Sequence, residues 1–321
     1  MFLICLIAAA GPTLGFLWLI WWLDRYEREP IRLLLATFCW GATGAVAIAI
    51  VCSLALMALL GQSFNSVSPV NAVVIAPLVE EPAKALVFLW LVKSRHFDNA
   101  TDGFVYGAAA GLGFAMSENL GYFLSYSEAP ALEFASIVVV RTLYTALMHA
   151  CASSLIGAAI GHTRFRTPAM RKKALVAGLF GALAVHAIWN AVLALAMAGD
   201  LAPYAAINLI IFPFEFAAIF VVFQMSLGLE QRQLLRELSE EARRGNIPPE
   251  HVAILASYRK RRRGGWLPGH VDQEQYVADT TLLAMRLHQL RYATPEWEDV
   301  YTDDAARLRA QIASALKEPG S

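Results

Sequence analysis

The chain has 321 residues, 57% of them hydrophobic and only 16% charged, and its 26 basic and 26 acidic side chains cancel. With a positive mean hydropathy, this balance excludes an ordinary soluble domain and points to a polytopic membrane protein. Residues 1–228 carry 12 side chains of each sign and leave 14 of each to the last 93 residues, so a transmembrane domain, 1–228, is followed by a soluble, mostly helical tail, 229–321. The four cysteines, Cys5, Cys39, Cys52 and Cys151, lie in apolar segments without metal-site or disulfide spacing and read as small buried hydrophobes.

Taken in order, seven apolar runs are long enough to span a bilayer, near 2–23, 33–60, 67–92, 103–126, 131–162, 172–198 and 201–228. The first lacks a basic leader and a small-residue cleavage site, and reads as a retained helix rather than a signal peptide. Basic residues recur at every second connection: Arg25, Arg28 and Arg32; then Lys93 and Arg95; then Arg164, Arg166, Arg171, Lys172 and Lys173. The connections between these, GQSFNSVS, the one with Glu128 and Glu133, and the one with Asp200, carry none. The positive-inside rule then sets the N-terminus outside and the tail in the cytoplasm. The expected fold is all-α: about seven transmembrane helices in a lipid bilayer with a helical cytoplasmic tail.

The third run contains Glu80, Glu81 and Lys84. Charge near a bilayer centre costs at least ~2.5–3.5 kcal/mol, so such residues face a partner or a water-filled cavity. Pro77 and Pro82 leave the carbonyls of Val73 and Leu78 without their helical donors, so the helix is expected to kink or break at the carboxylates, or to restart at Pro82. Glu80 and Lys84 are i,i+4 neighbours and can pair. The fourth run is Gly-rich and sets Glu118 and Tyr122 on one face; the sixth does the same for His186 and Asn190.

Depth links these residues. Counted from Lys93, Asp102, Arg164 and Lys173, the groups Glu80, Glu118, His149 and His186 lie 13–16 residues into their runs, roughly 20–24 Å from one membrane face at 1.5 Å per residue. A lone intramembrane histidine most often makes an interhelical hydrogen bond; four titratable groups at one level suit water activation. A carboxylate in a partly dry site can act as general base, imidazoles with a further carboxylate can bind a metal, and an amide such as Asn190 can donate to an oxyanion. Arg141 can balance a carboxylate, Asp102-Gly103 reads as a cap and turn, and Glu215 on the seventh run has no evident partner. In the tail, the basic run Arg259–Arg263 beside Trp266 suits either anionic lipid headgroups or water.

Three motifs occur in order on these helices: Glu80-Glu81-Pro82-Ala83-Lys84 (EExxK), Phe114-Ala115-Met116-Ser117-Glu118 (FxxxE) and His186-Ala187-Ile188-Trp189-Asn190 (HxxxN). Together they resemble the PrsW family of intramembrane proteases, which is similar to the CAAX prenyl endopeptidases and bacteriocin-processing enzymes. The likeness covers roughly residues 67–195 and takes in Asp102-Gly103 and the Arg141–His149 segment, but not the tail. It implies regulated proteolysis of a membrane-spanning or membrane-proximal protein. In that reading Glu80 or Glu81 activates water, while Glu118, His149 and His186 bind zinc or another divalent metal or position that water. Asn190 helps stabilise the oxyanion. Glu118 stands where prenyl-type relatives have histidine, which speaks against a prenylated substrate; no nucleic-acid partner is expected. The competing readings are an ion-coupled transporter, against which no inverted repeat of EEPAK is visible, and a catalytically silent scaffold.

Overall fold

The computed structural model describes residues 1–61, 68–198, 201–292 and 295–317, and every regular element among them is a helix. Asp200, the side chain of Glu215 and most of the 61–68 connection lie outside the described residues. The chain forms two compact units, Met1–Leu23 with Glu29–Phe223, and Asp24–Arg28 with Gln224–Ser321.

The first unit holds α1 (Phe2–Leu23), α2 (Ile31–Leu59), α3 (Ala76–Ala85), the short α4 (Phe88–Leu91), α5 (Ala100–Ser125), α6 (Ala131–His162), α7 (Pro168–Ala198) and the start of α8 (Leu201–Arg243). Among the described residues α1, α2, α6 and the Pro168–Leu195 part of α7 are long and apolar enough to cross a membrane. They make this an integral membrane protein. The expected third span is divided into α3 and α4, and α5 owes its place to packing rather than to uniform apolarity.

That packing follows from composition. Every residue of α5 from Thr101 to Ala115 is buried, and α1, α2 and α6 all lie against it. A Cβ added at Gly103 would stand 2.0 Å from the carbonyl oxygen of Gly157, and one at Gly111 2.3 Å from that of His149. Only glycine allows these backbones to touch, and touching sets how far His149 reaches across the bundle. The N-terminal end of α5 is fixed by a capping box. Asn99 accepts from the amides of Thr101 and Asp102, and Asp102 accepts from that of Asn99. Cys5 and Cys151 are buried as expected, whereas Cys39 and Cys52 are exposed on α2, an apolar helix whose outer face needs no water-compatible side chains.

Pro82 neither breaks the helix at the carboxylates nor opens a new one: it lies inside α3, which runs unbroken through Glu80 and Glu81. The irregularity is one turn earlier, where Asn71–Ile75 widens into a π-helical turn. There the Ala76 amide donates to the carbonyl of Asn71, and Pro77 has no amide to give. The carbonyl of Ala72 is thus left over, and Asn190 Nδ2 donates to it at 2.7 Å. Two more π turns, Gly41–Ala45 in α2 and Arg141–Thr145 in α6, also receive side-chain donors, although the Arg141 carbonyl already accepts from the Ala146 amide. Ser117 Oγ donates to Ala42 O at 2.6 Å, and Asn119 Nδ2 to Arg141 O at 3.2 Å. Widened turns of this kind gather at functional sites.

In the second unit the end of α8 joins α9 (Pro249–Leu255), α10 (Tyr258–Arg261), α11 (Gln273–Leu290) and α12 (Pro295–Leu316). Leu234, Leu238, Leu255, Leu283, Leu308 and Ile312 form its core. α8 stops at Arg243, Gly245 takes a left-handed φ of 78°, and Pro249 opens α9, which is the break that the Asn246–Pro249 segment predicts.

Candidate active site

Glu80, Glu81 and Lys84 share one face of α3. Lys84 and Glu81 are wholly buried, with Lys84 Nζ donating to Glu81 Oε1 at 2.7 Å. The expected Glu80–Lys84 pair is present but longer, 3.7 Å. Glu81 also accepts from His186 Nδ1 at 2.8 Å and from Ser153 Oγ at 3.2 Å. Three groups, Lys84 on α3, Ser153 on α6 and His186 on α7, thus saturate one buried charge.

The ammonium of Lys84 also lies 2.8 Å from His149 Nδ1 and 4.3 Å from the Phe114 ring centre. A lysine can only donate, so His149 Nδ1 carries the lone pair and Nε2 the proton. That proton goes to Glu118 Oε2, 2.8 Å away, and the same carboxylate pairs with Arg141 at 3.0 Å. Arg141 is itself fixed, with Nε donating to Asn119 Oδ1 at 2.9 Å and the guanidinium 3.6 Å over the Tyr122 ring. The shared face of Glu118 and Tyr122 is therefore the seat of Arg141.

His186 completes the cluster. Its ring meets that of His149 edge to face, with centroids 4.8 Å apart. With Nδ1 held by Glu81, the other nitrogen, Nε2, faces Glu80 Oε2 at 3.9 Å. That oxygen of Glu80 is buried and accepts no hydrogen bond. Glu80 and Glu118 are the members open to the surroundings, 14% and 28% exposed, whereas Glu81 and Lys84 are closed off.

A metal has a matching donor set. One ligand atom each from Glu80, His149 and His186 lie within 4.8 Å of one another, and two imidazoles with a carboxylate are a familiar zinc set. The unbonded oxygen of Glu80 and the Glu81-oriented ring of His186 fit this role, since a metal-binding imidazole is commonly fixed through its other nitrogen. The lone pair of His149 is engaged by Lys84, so filling the site requires Lys84 to release it. Glu118, expected among the ligands, is bound instead to Arg141 and His149.

All six residues singled out in the sequence therefore occupy this region, though Asn190 turns one amide proton toward α3's leading turn. Ser153 and Asn119 were not singled out: a serine and an asparagine among apolar neighbours carry no spacing signal. Lys84 was expected to pair within its own helix, and its contact with His149 depends on how α3 and α6 face each other.

Residues 29–223 match the model of the PrsW family of intramembrane metalloproteases. The chain is 36% identical to Protease PrsW of Clostridioides difficile over 129 residues, 40% of this chain and 53% of that protein, so it spans about half that relative's length. It is 27% identical to Protease PrsW of Bacillus subtilis over 58% of this chain and 81% of the relative. For Protease PrsW of Oceanobacillus iheyensis the identity is 29%, over 59% and 82%. No solved structure matches the chain significantly. With the family's match covering more than half of the sequence, and the buried acid–imidazole cluster falling inside it, the chain belongs to the PrsW family of intramembrane metalloproteases.

Proposed function

We propose that the chain is an intramembrane endopeptidase that hydrolyses a membrane-spanning or membrane-proximal protein in regulated proteolysis, with water activated at Glu80. The observation that carries this reading is the buried oxygen of Glu80 that accepts no hydrogen bond and faces His186 Nε2 at 3.9 Å. Of the two adjacent carboxylates, Glu81 is saturated by Lys84, His186 and Ser153, which leaves Glu80 to take the proton of the attacking water.

Glu81 orients His186, while Glu118, held by Arg141, orients His149. Glu80, His149 and His186 would hold a divalent metal such as zinc, which when bound lowers the pKa of water and polarises a carbonyl. A carboxylate has two oxygens, so Glu80 can serve both parts. Asn190 gives one amide proton to Ala72 and keeps the other for the oxyanion of the tetrahedral intermediate. The low exposure of the cluster favours a substrate that enters from the side of Glu80 and Glu118. Seven spans, an outer N-terminus and a cytoplasmic tail complete the reading, supported by the alternation of basic connections.

The test compares new protein N-termini in cells making the native chain or Glu80→Gln at matched membrane levels. Defined cleavage products are expected to vanish in the variant. Unchanged termini under several stresses would overturn the proteolytic reading.

A further inference from the structure

Two features meet at the first connection. Asp24–Arg28 joins α1 to α2, both long and apolar enough to span. Trp18 and Trp22 stack at 6.4 Å on the exposed face of the last turns of α1, the pattern of an interfacial aromatic belt. Arg25 stands two residues beyond Leu23, hence at most ~7 Å past the end of the helix. The headgroup layer on either side of the hydrocarbon core is about 5–8 Å thick. The connection therefore lies at headgroup level.

The basic run of the tail is fastened to this connection. Arg261 is buried; its guanidinium donates to the carbonyl of Arg25 and, at 3.5 Å, to that of Tyr26, lies 4.8 Å over the Tyr26 ring, and donates to Thr281 at 3.3 Å. Arg25 in turn sits 5.6 Å over the Tyr258 ring. Gln273 Nε2 holds the backbone of the run by donating to the carbonyls of Arg261 and Arg263. With Arg261 turned inward, Arg259, Lys260, Arg262 and Arg263 are exposed, and none forms an ion pair with a carboxylate among the described residues. Four unneutralised cations are thus tethered, through Arg261, to a connection at headgroup level.

We propose that Arg259, Lys260, Arg262 and Arg263 form a docking surface for anionic phospholipid headgroups of the bilayer that α1 and α2 cross. The inference rests on membrane insertion and not on proteolysis, so it stands or falls separately from the catalytic reading. Each such cation near an anionic surface is worth roughly a fivefold change in partition, and four act together because one buried arginine fixes them all.

The test places the full chain in nanodiscs of phosphatidylcholine alone or mixed with phosphatidylglycerol and follows amide hydrogen exchange of residues 258–266. Exchange is expected to slow at least about tenfold in the anionic discs, to recover in high salt, and to stay fast in an Arg259→Gln, Lys260→Gln, Arg262→Gln, Arg263→Gln variant. Unchanged protection of residues 276–290 in that variant shows that the tail remains folded. Free glycerol phosphate added to phosphatidylcholine discs is expected to have no effect. Equal exchange in the two lipid compositions would overturn the proposal, as would protection by the free phosphate or by added RNA in neutral discs.

Discussion

In the tail, Glu237 is 1% exposed and lies in the fork of Arg291, whose Nε and Nη2 reach its two oxygens at 3.0 and 2.9 Å, with Arg236 at 2.8 Å. Glu241 is held the same way by Arg309, with Asn246 adding a third bond. In the membrane unit Glu81 is just as saturated, but its neighbour Glu80 keeps a buried oxygen without a hydrogen bond. Both regions bury carboxylates among cations and imidazoles. At Glu237 and Glu241 both oxygens are used for structure, whereas the membrane cluster completes one carboxylate and leaves an oxygen of the next without a hydrogen bond. A buried acceptor left unsatisfied lowers stability, and this one lies in the cluster that also holds His149 and His186.

The contrast can be broken most sharply at the adjacent glutamates. Glu80→Gln is expected to reduce cleavage by roughly 10²–10⁴-fold while the membrane level of the protein stays unchanged, as read by immunoblot beside substrate processing. Glu81→Gln is expected to fail differently. It leaves Lys84 buried without its main partner, at a cost of about 3–5 kcal/mol, and the protein should accumulate less and unfold earlier in detergent. Equal loss of accumulation in both variants would end the distinction between an open and a saturated carboxylate.

Metal content sharpens it further. Zinc bound by the purified chain, measured by elemental mass spectrometry after dialysis, is expected to disappear in His186→Ala. Glu118→Gln, which touches a ligand only through His149, is expected to weaken zinc by about 10–100-fold.

The smallest effect belongs to the tail. Burial alone would raise the Glu237 carboxyl, but hydrogen bonds from His288, Arg291 and Arg236 outweigh it and hold the pKa at about 2, below the usual 4.5. A carboxyl depressed by folding stabilises the fold above its unfolded pKa and loses that contribution as pH falls toward the folded value. The tail should therefore weaken between about pH 4.5 and 2, with a flatter acid dependence in Glu237→Gln, which costs roughly 1.5–3 kcal/mol at neutral pH. Thermal unfolding of the full chain across this range reads both effects.

How much of this was legible in the sequence differs between the regions for a physical reason. Charges at Glu80, Glu81, Lys84, Glu118, His149 and His186 stand out against an apolar background, and counting residues from the charged flanks sets Glu80, Glu118, His149 and His186 at one depth. Depth is a one-dimensional quantity that a helix converts from residue number at fixed rise. Who pairs with whom depends on the rotation of each helix about its axis, which the π turns alter without leaving a reliable mark. Pro77 hints at the turn over Asn71–Ile75, but nothing in GATGA or RTLYT announces another. The sequence thus predicts a left-over carbonyl at Val73, whereas the carbonyl that Asn190 serves is that of Ala72. In the tail, alternating charge conceals the Glu237–Arg291 pair, 54 residues apart, among many equivalent surface candidates.

The three π turns carry one further consequence. A widened turn stores one residue more than an α-helical turn while keeping the helix on both sides in place. Removing a residue from an ordinary stretch of α2 would swing everything beyond it by about 100° and destroy its packing against α5. Removing Thr43, inside Gly41–Ala45, would instead close the turn to regular helix and leave both flanks facing as before. The bundle around the cluster is thus tolerant of length change at three defined points, and single-residue gaps among relatives are expected to collect there.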